Sequence, residues 1–184
     1  MAILTAISAV TLLTALAGAL ILGTTTETAI AASYRDGVET FYAAESAVDF
    51  AVDELRDTDD WGAVLSGDLP SVFIDGTPDG LRRVGAVTLD LIAETADVDA
   101  IPDAAAPVYR LYAYGPFRDL ISIGAVAPKH YVGVWVAELE RDGLGEPSTI
   151  RVLASAYGPT GARRSVAVSL TRTGNVLSWA DLRR

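Results

Sequence analysis

The chain has no cysteine among its 184 residues. That absence excludes disulfides, thiolate metal sites and thiol nucleophiles together. Histidine is nearly absent as well. His130 stands alone, so a Ser/His/Asp triad could form only around it, and no G-x-S-x-G element accompanies it. The glycines of GLGEP, residues 143–147, lack the spacing and the Lys-Ser/Thr ending of a phosphate-binding loop. Charge is missing from the front of the chain: the first charged side chain is Glu27 and the first basic one Arg35. A cleavable secretory signal opens with a basic segment, and a membrane segment normally takes its orientation from Lys or Arg on its cytoplasmic flank. Neither is present here. One reading is that a short basic leader precedes Met1 and is removed; the other is that Met1 is the initiator.

What is present is a strongly apolar chain. Hydrophobic residues make up 51% and charged residues 21%, a globular composition, and the length suits one domain with an attached element. The net charge of −10 is uneven: residues 1–150 hold 8 basic and 23 acidic side chains, residues 151–184 hold 6 and 1. An acidic chain repels nucleic-acid phosphates, so no nucleic-acid partner is expected. DTDDWGAVLSGD, residues 57–68, puts Asp57, Asp59, Gly62 and Asp68 on a calcium-loop template. Trp61 then falls where an oxygen ligand is needed and Asp68 where a bidentate Glu is expected, so a solvated acidic turn is the better reading. Nothing selects a carboxylate pair for hydrolysis. No cofactor, metal or catalytic residue is expected, and the chain does not read as an enzyme.

The sequence divides at about residue 56. Residues 1–23 are long enough as a helix to cross a bilayer. Helical periodicity then continues through Ile30, Tyr34, Val38, Phe41, Glu45, Val48, Val52 and Leu55, one apolar row with a carboxylate in it. Residues 1–56 are therefore expected to form one long helix, with 1–26 as its uncharged half. Residues 57–184 are expected to form a globular sheet domain. Strands are predicted at 108–115, 131–140, 149–158 and 163–172, each rich in β-branched or aromatic residues. RDGLGEPS and PTGA are short enough to join neighbours as an antiparallel meander. The fold class is α+β. YVGVWVAELE is apolar on both faces and calls for cover on each side: the helix on one, loops or a neighbouring subunit on the other.

With its uncharged N-terminal helix, FYAAESAVDFAVDEL at 41–55 and VLASAYGPTGARRSVAVSLTR at 152–172, the chain resembles the type IV pilin-like proteins, and within them the PilX-type minor pilins and related pseudopilins. The likeness also touches LYAYGP at 111–116 and YVGVWVAE at 131–138, but little between residues 60 and 105. It implies a lollipop fold with the helix packed on the sheet. It also implies a leader removed before Met1, N-methylation of that residue, and residence in the inner membrane before assembly into an extracellular filament on a bacterial cell surface. The implied partners are further copies of the chain, other pilins and the pilus assembly machinery. Where many major pilins carry a glutamate, this chain has Thr5, a departure that favours a minor or specialised role. Gly18, Gly23 and the following threonines fall where helices of this family commonly lose helical order inside a filament. Small residues for close helix packing are the plainer reading of them. For Glu45, two readings stand: an interior carboxylate paired with an arginine of the C-terminal sheet, or a residue at the helix–sheet margin that reaches water. Arg163 and Arg164 are candidates to meet the acidic body of the next copy in an open, filament-forming contact. The alternative function is a monomeric membrane-anchored extracytoplasmic binding module.

Overall fold

The computed structural model describes residues 2–101, 107–121 and 129–182; Met1, a candidate processed end, lies outside the described residues. The protein is α+β, with a long N-terminal helix and antiparallel sheets. It divides into two compact units, Met1–Arg35 and Asp36–Arg184, and helix α1 (Ala2–Arg56) contributes to both.

The first unit is helix alone. Every described residue in it is exposed, including Ile3, Leu4, Ile7, Val10, Leu13, Leu16 and Leu20. Its Thr and Ser hydroxyls from Thr5 to Thr28 donate to carbonyls of the preceding turn, so they carry no unpaired hydroxyl into an apolar setting. Thr5 Oγ1 donates to the Ala2 carbonyl at 2.8 Å, and Thr25 and Thr26 donate to the Leu22 carbonyl at 2.9 Å. The helix is continuous through Gly18, Gly23 and Thr24–Thr26. The weakening expected there concerns a packed filament; the single chain keeps its hydrogen-bond ladder.

In the second unit the remaining turns of α1 cover one face of a five-stranded antiparallel meander. Its strands are β3 (Arg110–Pro116), β4 (Tyr131–Arg141), β5 (Pro147–Tyr157), β6 (Arg163–Thr171) and β7 (Val176–Leu182), in sheet order β3-β4-β5-β6-β7. Val132, Val134 and Val136 of β4, Ile150, Val152, Ala154 and Ala156 of β5, and Val166, Val168 and Leu170 of β6 all point at the helix. The period-2 alternation of a strand makes this possible. The helix face that meets them keeps Val48, Val52 and Leu55 of the expected row, with Phe41 partly buried beside them, and departs from it toward the N-terminus. Ile30 and Tyr34 are 64% and 75% exposed, and the buried stripe is Asp36, Thr40, Ala43, Ala44, Ala47, Val48, Ala51, Val52 and Leu55. A helix can approach a valine-rich sheet closely only through small side chains, so the alanines, not the larger residues at 34, 38 and 41, define the contact.

Helix α2 (Trp61–Ser66) follows α1, packs beside it on the same face through Trp61 and Val64, and is closed by Gly67 in the left-handed conformation at φ 86°. The opposite sheet face is covered by later residues of the stretch that carried little family likeness. A hairpin of β1 (Leu81–Val84) and β2 (Val87–Asp90) then leads into α3 (Leu91–Asp99). Val84, Leu89 and Leu91 pack on Tyr114, Tyr131 and Tyr157. Val98 packs with Trp135, Leu153 and Ala167. The second cover of the sheet thus comes from the chain's own residues, which is why β4 can be apolar on both sides. Asp60 caps α2 through the Ala63 N–H, and Trp61 is buried with its indole donating to the Leu55 carbonyl at 2.9 Å. The calcium-loop template is therefore folded as a capped helix.

One sheet edge is blunted and the other open. Along β3 the chain at 73–75 exchanges backbone bonds with Tyr114, each 2.9 Å long. Strand β7, beyond the last expected strand, pairs among the described residues with β6 alone and exposes Leu177 and Trp179.

Candidate functional site

The features available for function are the exposed apolar helix of the first unit and, separately, the polar groups of the second. The helix has the length and composition to cross a membrane, and its continuous apolar surface needs lipid or other helices as neighbours. It is compatible with membrane anchoring. Thr5, Gly18 and Gly23 all lie on this surface, and a Cβ added at either glycine would meet nothing within 4 Å. In the single chain neither glycine is required by internal packing.

In the second unit Glu45 lies half-buried beside the alanine stripe, one position from Ala44. Partial burial raises its carboxyl above the usual range, and the carboxylates of Asp49 and Asp181 push it the same way. The arginine partner considered for it is not the charge it senses. Asp181 belongs to β7, which sequence reading did not place, so this cluster could not have been anticipated.

Arg163 and Arg164 point to opposite faces of β6. Arg163 is held inside its own chain: its guanidinium contacts Glu94 of α3 at 2.5 Å and lies 5.3 Å over the Tyr157 ring. Tyr157 in turn donates to Glu94 at 2.8 Å, and burial pushes its phenol well above the usual range. Arg163 therefore ties the sheet to α3. Arg164 lies on the helix side, donates to the Arg163 carbonyl at 3.1 Å and sits 3.4 Å from where a Cβ on Gly37 would fall.

A buried polar cluster, not anticipated from sequence, surrounds Asp36. Asp36, Thr40 and His130 are 7%, 0% and 4% exposed. Thr40 Oγ1 donates to the Asp36 carbonyl at 2.6 Å, the Thr160 hydroxyl donates to the Asp36 carboxylate, and His130 Nε2 lies 3.5 Å from it. Gly158 faces the group so closely that a Cβ would stand 2.7 Å from Thr40 Oγ1. The available signal was the i, i+4 spacing of Asp36 and Thr40, which extends the alanine stripe toward the N-terminus. Among the described residues no group of His, Asp or Glu is arranged to hold a metal.

No family model, no curated protein and no solved structure matches the chain. What the structure defines is a class: an α+β protein whose long apolar N-terminal helix ends against an antiparallel sheet. That arrangement is consistent with a pilin-like fold.

Proposed function

We propose that the protein is a structural subunit, main or minor, of a type IV pilus-like extracellular filament, similar to the PilX-type minor pilins and pseudopilins. Its apolar helix holds it in the inner membrane and then associates with the helices of further copies or other pilins. The observation that carries this reading is the contrast within one helix. Residues 36–55 bury a small-residue face in their own domain, whereas no described residue from 2 to 35 is buried at all. Alanine, glycine, serine and threonine are spread along this stretch, and such small residues let helix backbones approach closely where lipid supplies no hydrophobic drive of its own.

The missing cysteine gives a clean test. Leu13→Cys places one thiol on the exposed helix, and oxidative cross-linking in intact cells reads its neighbours. Filament assembly yields cross-linked dimers carrying position 13 in the surface fraction sheared from cells. A membrane-anchored monomeric module yields uncross-linked protein retained in the membrane, and that result would replace this reading with the alternative.

A further inference from the structure

Arg163 and Arg164, the expected cations of a contact between copies, are taken up inside their own domain. The cations left for a neighbour lie elsewhere. Arg83 of β1, Arg118 just after β3 and Lys129 just before β4 are exposed and line one cleft. Arg83 and Lys129 enter no ion pair among the described residues, and Arg118 faces only its exposed neighbour Asp119 at 3.4 Å, a weak, solvent-screened pair. Leu81, 72% exposed, shares the outer face of β1 with Arg83. This surface is cationic with an apolar side chain in it.

The far edge of the same sheet has the opposite charge. Trp179 and Asp181 of β7 pair with Val168 and Val166, which face α1, so both lie on the helix side of the open edge. Glu45 of α1 stands close to them: partial burial, and then the Asp49 and Asp181 carboxylates, hold its carboxyl above the usual range. Arg56, farther along α1, does not relieve this crowding, because Asp53 and the Gly174 carbonyl already engage it. Three carboxylates therefore flank an aromatic side chain that is 46% exposed. Two such edges meeting across a two-fold axis would set carboxylate against carboxylate, which is unfavourable. A cationic surface with an apolar residue of its own is the complement. Four strand spacings of about 4.8 Å separate β3 from β7, so the two surfaces cannot reach each other within one copy.

We propose that the Arg83/Arg118/Lys129 surface of a second copy docks on the α1–β7 edge, with cations against Glu45 and Asp49 and Leu81 against Trp179. Different surfaces meet, so each copy keeps one of each free for the next and the contact propagates instead of closing. The contact rests on the filament reading and names the surfaces through which the sheet domains join.

Two full-length chains expressed in cells test it. Glu45→Lys/Asp49→Lys makes both surfaces cationic, and Arg83→Glu/Lys129→Glu makes both acidic. Expressed alone, each should reach the sheared surface fraction about tenfold or more below the parent, because every copy then repels the next. Expressed together they should recover most of the parent's yield, since unlike chains can alternate. One chain carrying all four reversals should recover as well. A chain that had merely failed to fold would not be rescued by another. Reversed chains that assemble alone as well as the parent overturn the proposal, as does a mixture that stays as low as either chain, while the parent's own presence in the sheared fraction keeps the filament reading. A parent absent from that fraction overturns both.

Discussion

Replacing Gly158 with alanine adds one methyl group at the point where the loop after β5 meets α1. The new Cβ would stand 2.7 Å from Thr40 Oγ1 and 2.8 and 2.9 Å from the two Asp36 carboxylate oxygens. Ordinary contact begins near 3.4 Å, so something must yield by more than half an ångström. The atoms in the way are not free to swing aside. Thr40 is fully buried and bonded to the Asp36 carbonyl at 2.6 Å, and the Asp36 carboxylate holds the Thr160 hydroxyl. Overpacking of this kind costs about 1–3 kcal/mol, and breaking a buried hydrogen bond adds about 1 kcal/mol. Gly158→Ala is therefore expected to lose about 2–4 kcal/mol. Reversible thermal unfolding of the full chain in micelles, followed by Trp fluorescence, should show a melting temperature lower by about 2–4 °C for each kcal/mol. Gly143→Ala is the control, since nothing lies within 4 Å of its Cβ position. Thr40→Ala in the Gly158→Ala background should recover part of the loss, because the two changes share one space. Equal stability of Gly158→Ala and Gly143→Ala would refute the packing argument.

Leu55→Ala, at a fully buried core position, should destabilise the sheet domain by about 2–5 kcal/mol in denaturant titration. Glu45→Gln should act in the other direction. A folded-state pKa raised above the ordinary value of 4.5 means that the stability Glu45 lends is fully present below that value and is lost as pH rises through the folded pKa. The glutamine chain should thus be more stable than the parent at neutral pH, by no more than about 0.5 kcal/mol because solvent screens the site, and the difference should vanish near pH 3.5. Arg163→Glu places a carboxylate against Glu94 and should lower the melting temperature even without assembly, so filament loss in that chain reports folding as well as contact. Leu13→Lys should reduce membrane insertion of the helix, at a cost of about 3 kcal/mol for a charge at the bilayer centre, read as the fraction of protein extracted by alkali.

The long helix, its end near residue 56 and the meander were legible because each rests on a local signal. The helix has an uncharged run and a 3.6 period, β3 is an aromatic run, and β4 to β6 are β-branched runs separated by short turns. The phase of the helix was legible from Val48 to Leu55 but drifted before it, because large apolar residues were weighted over alanines. Glu45 consequently seemed central to a face that actually runs through Ala44, Ala47 and Ala51. The second sheet cover was hidden for a different reason. Leu89, Leu91 and Val98 are single apolar residues set in short elements separated by turns, and their partners on β3, β4 and β5 are distant in sequence. Strand β7 is exposed along nearly its whole length and lacks the alternation that marks a half-buried strand. The environment of Asp36 depends on Gly158, Thr160 and His130, which only the tertiary fold brings together.

The proposed function requires that the exposed apolar helix build a filament. Quantitative peptide mass spectrometry of filaments sheared from the cell surface, including the chemical form of the Met1 terminus, tests it most directly. A pilin-like subunit would be found in the sheared fraction with an N-methylated Met1, in abundance as a main subunit or in trace amounts as a minor one. Its absence from that fraction, with an unmethylated chain retained in the membrane, would contradict the claim.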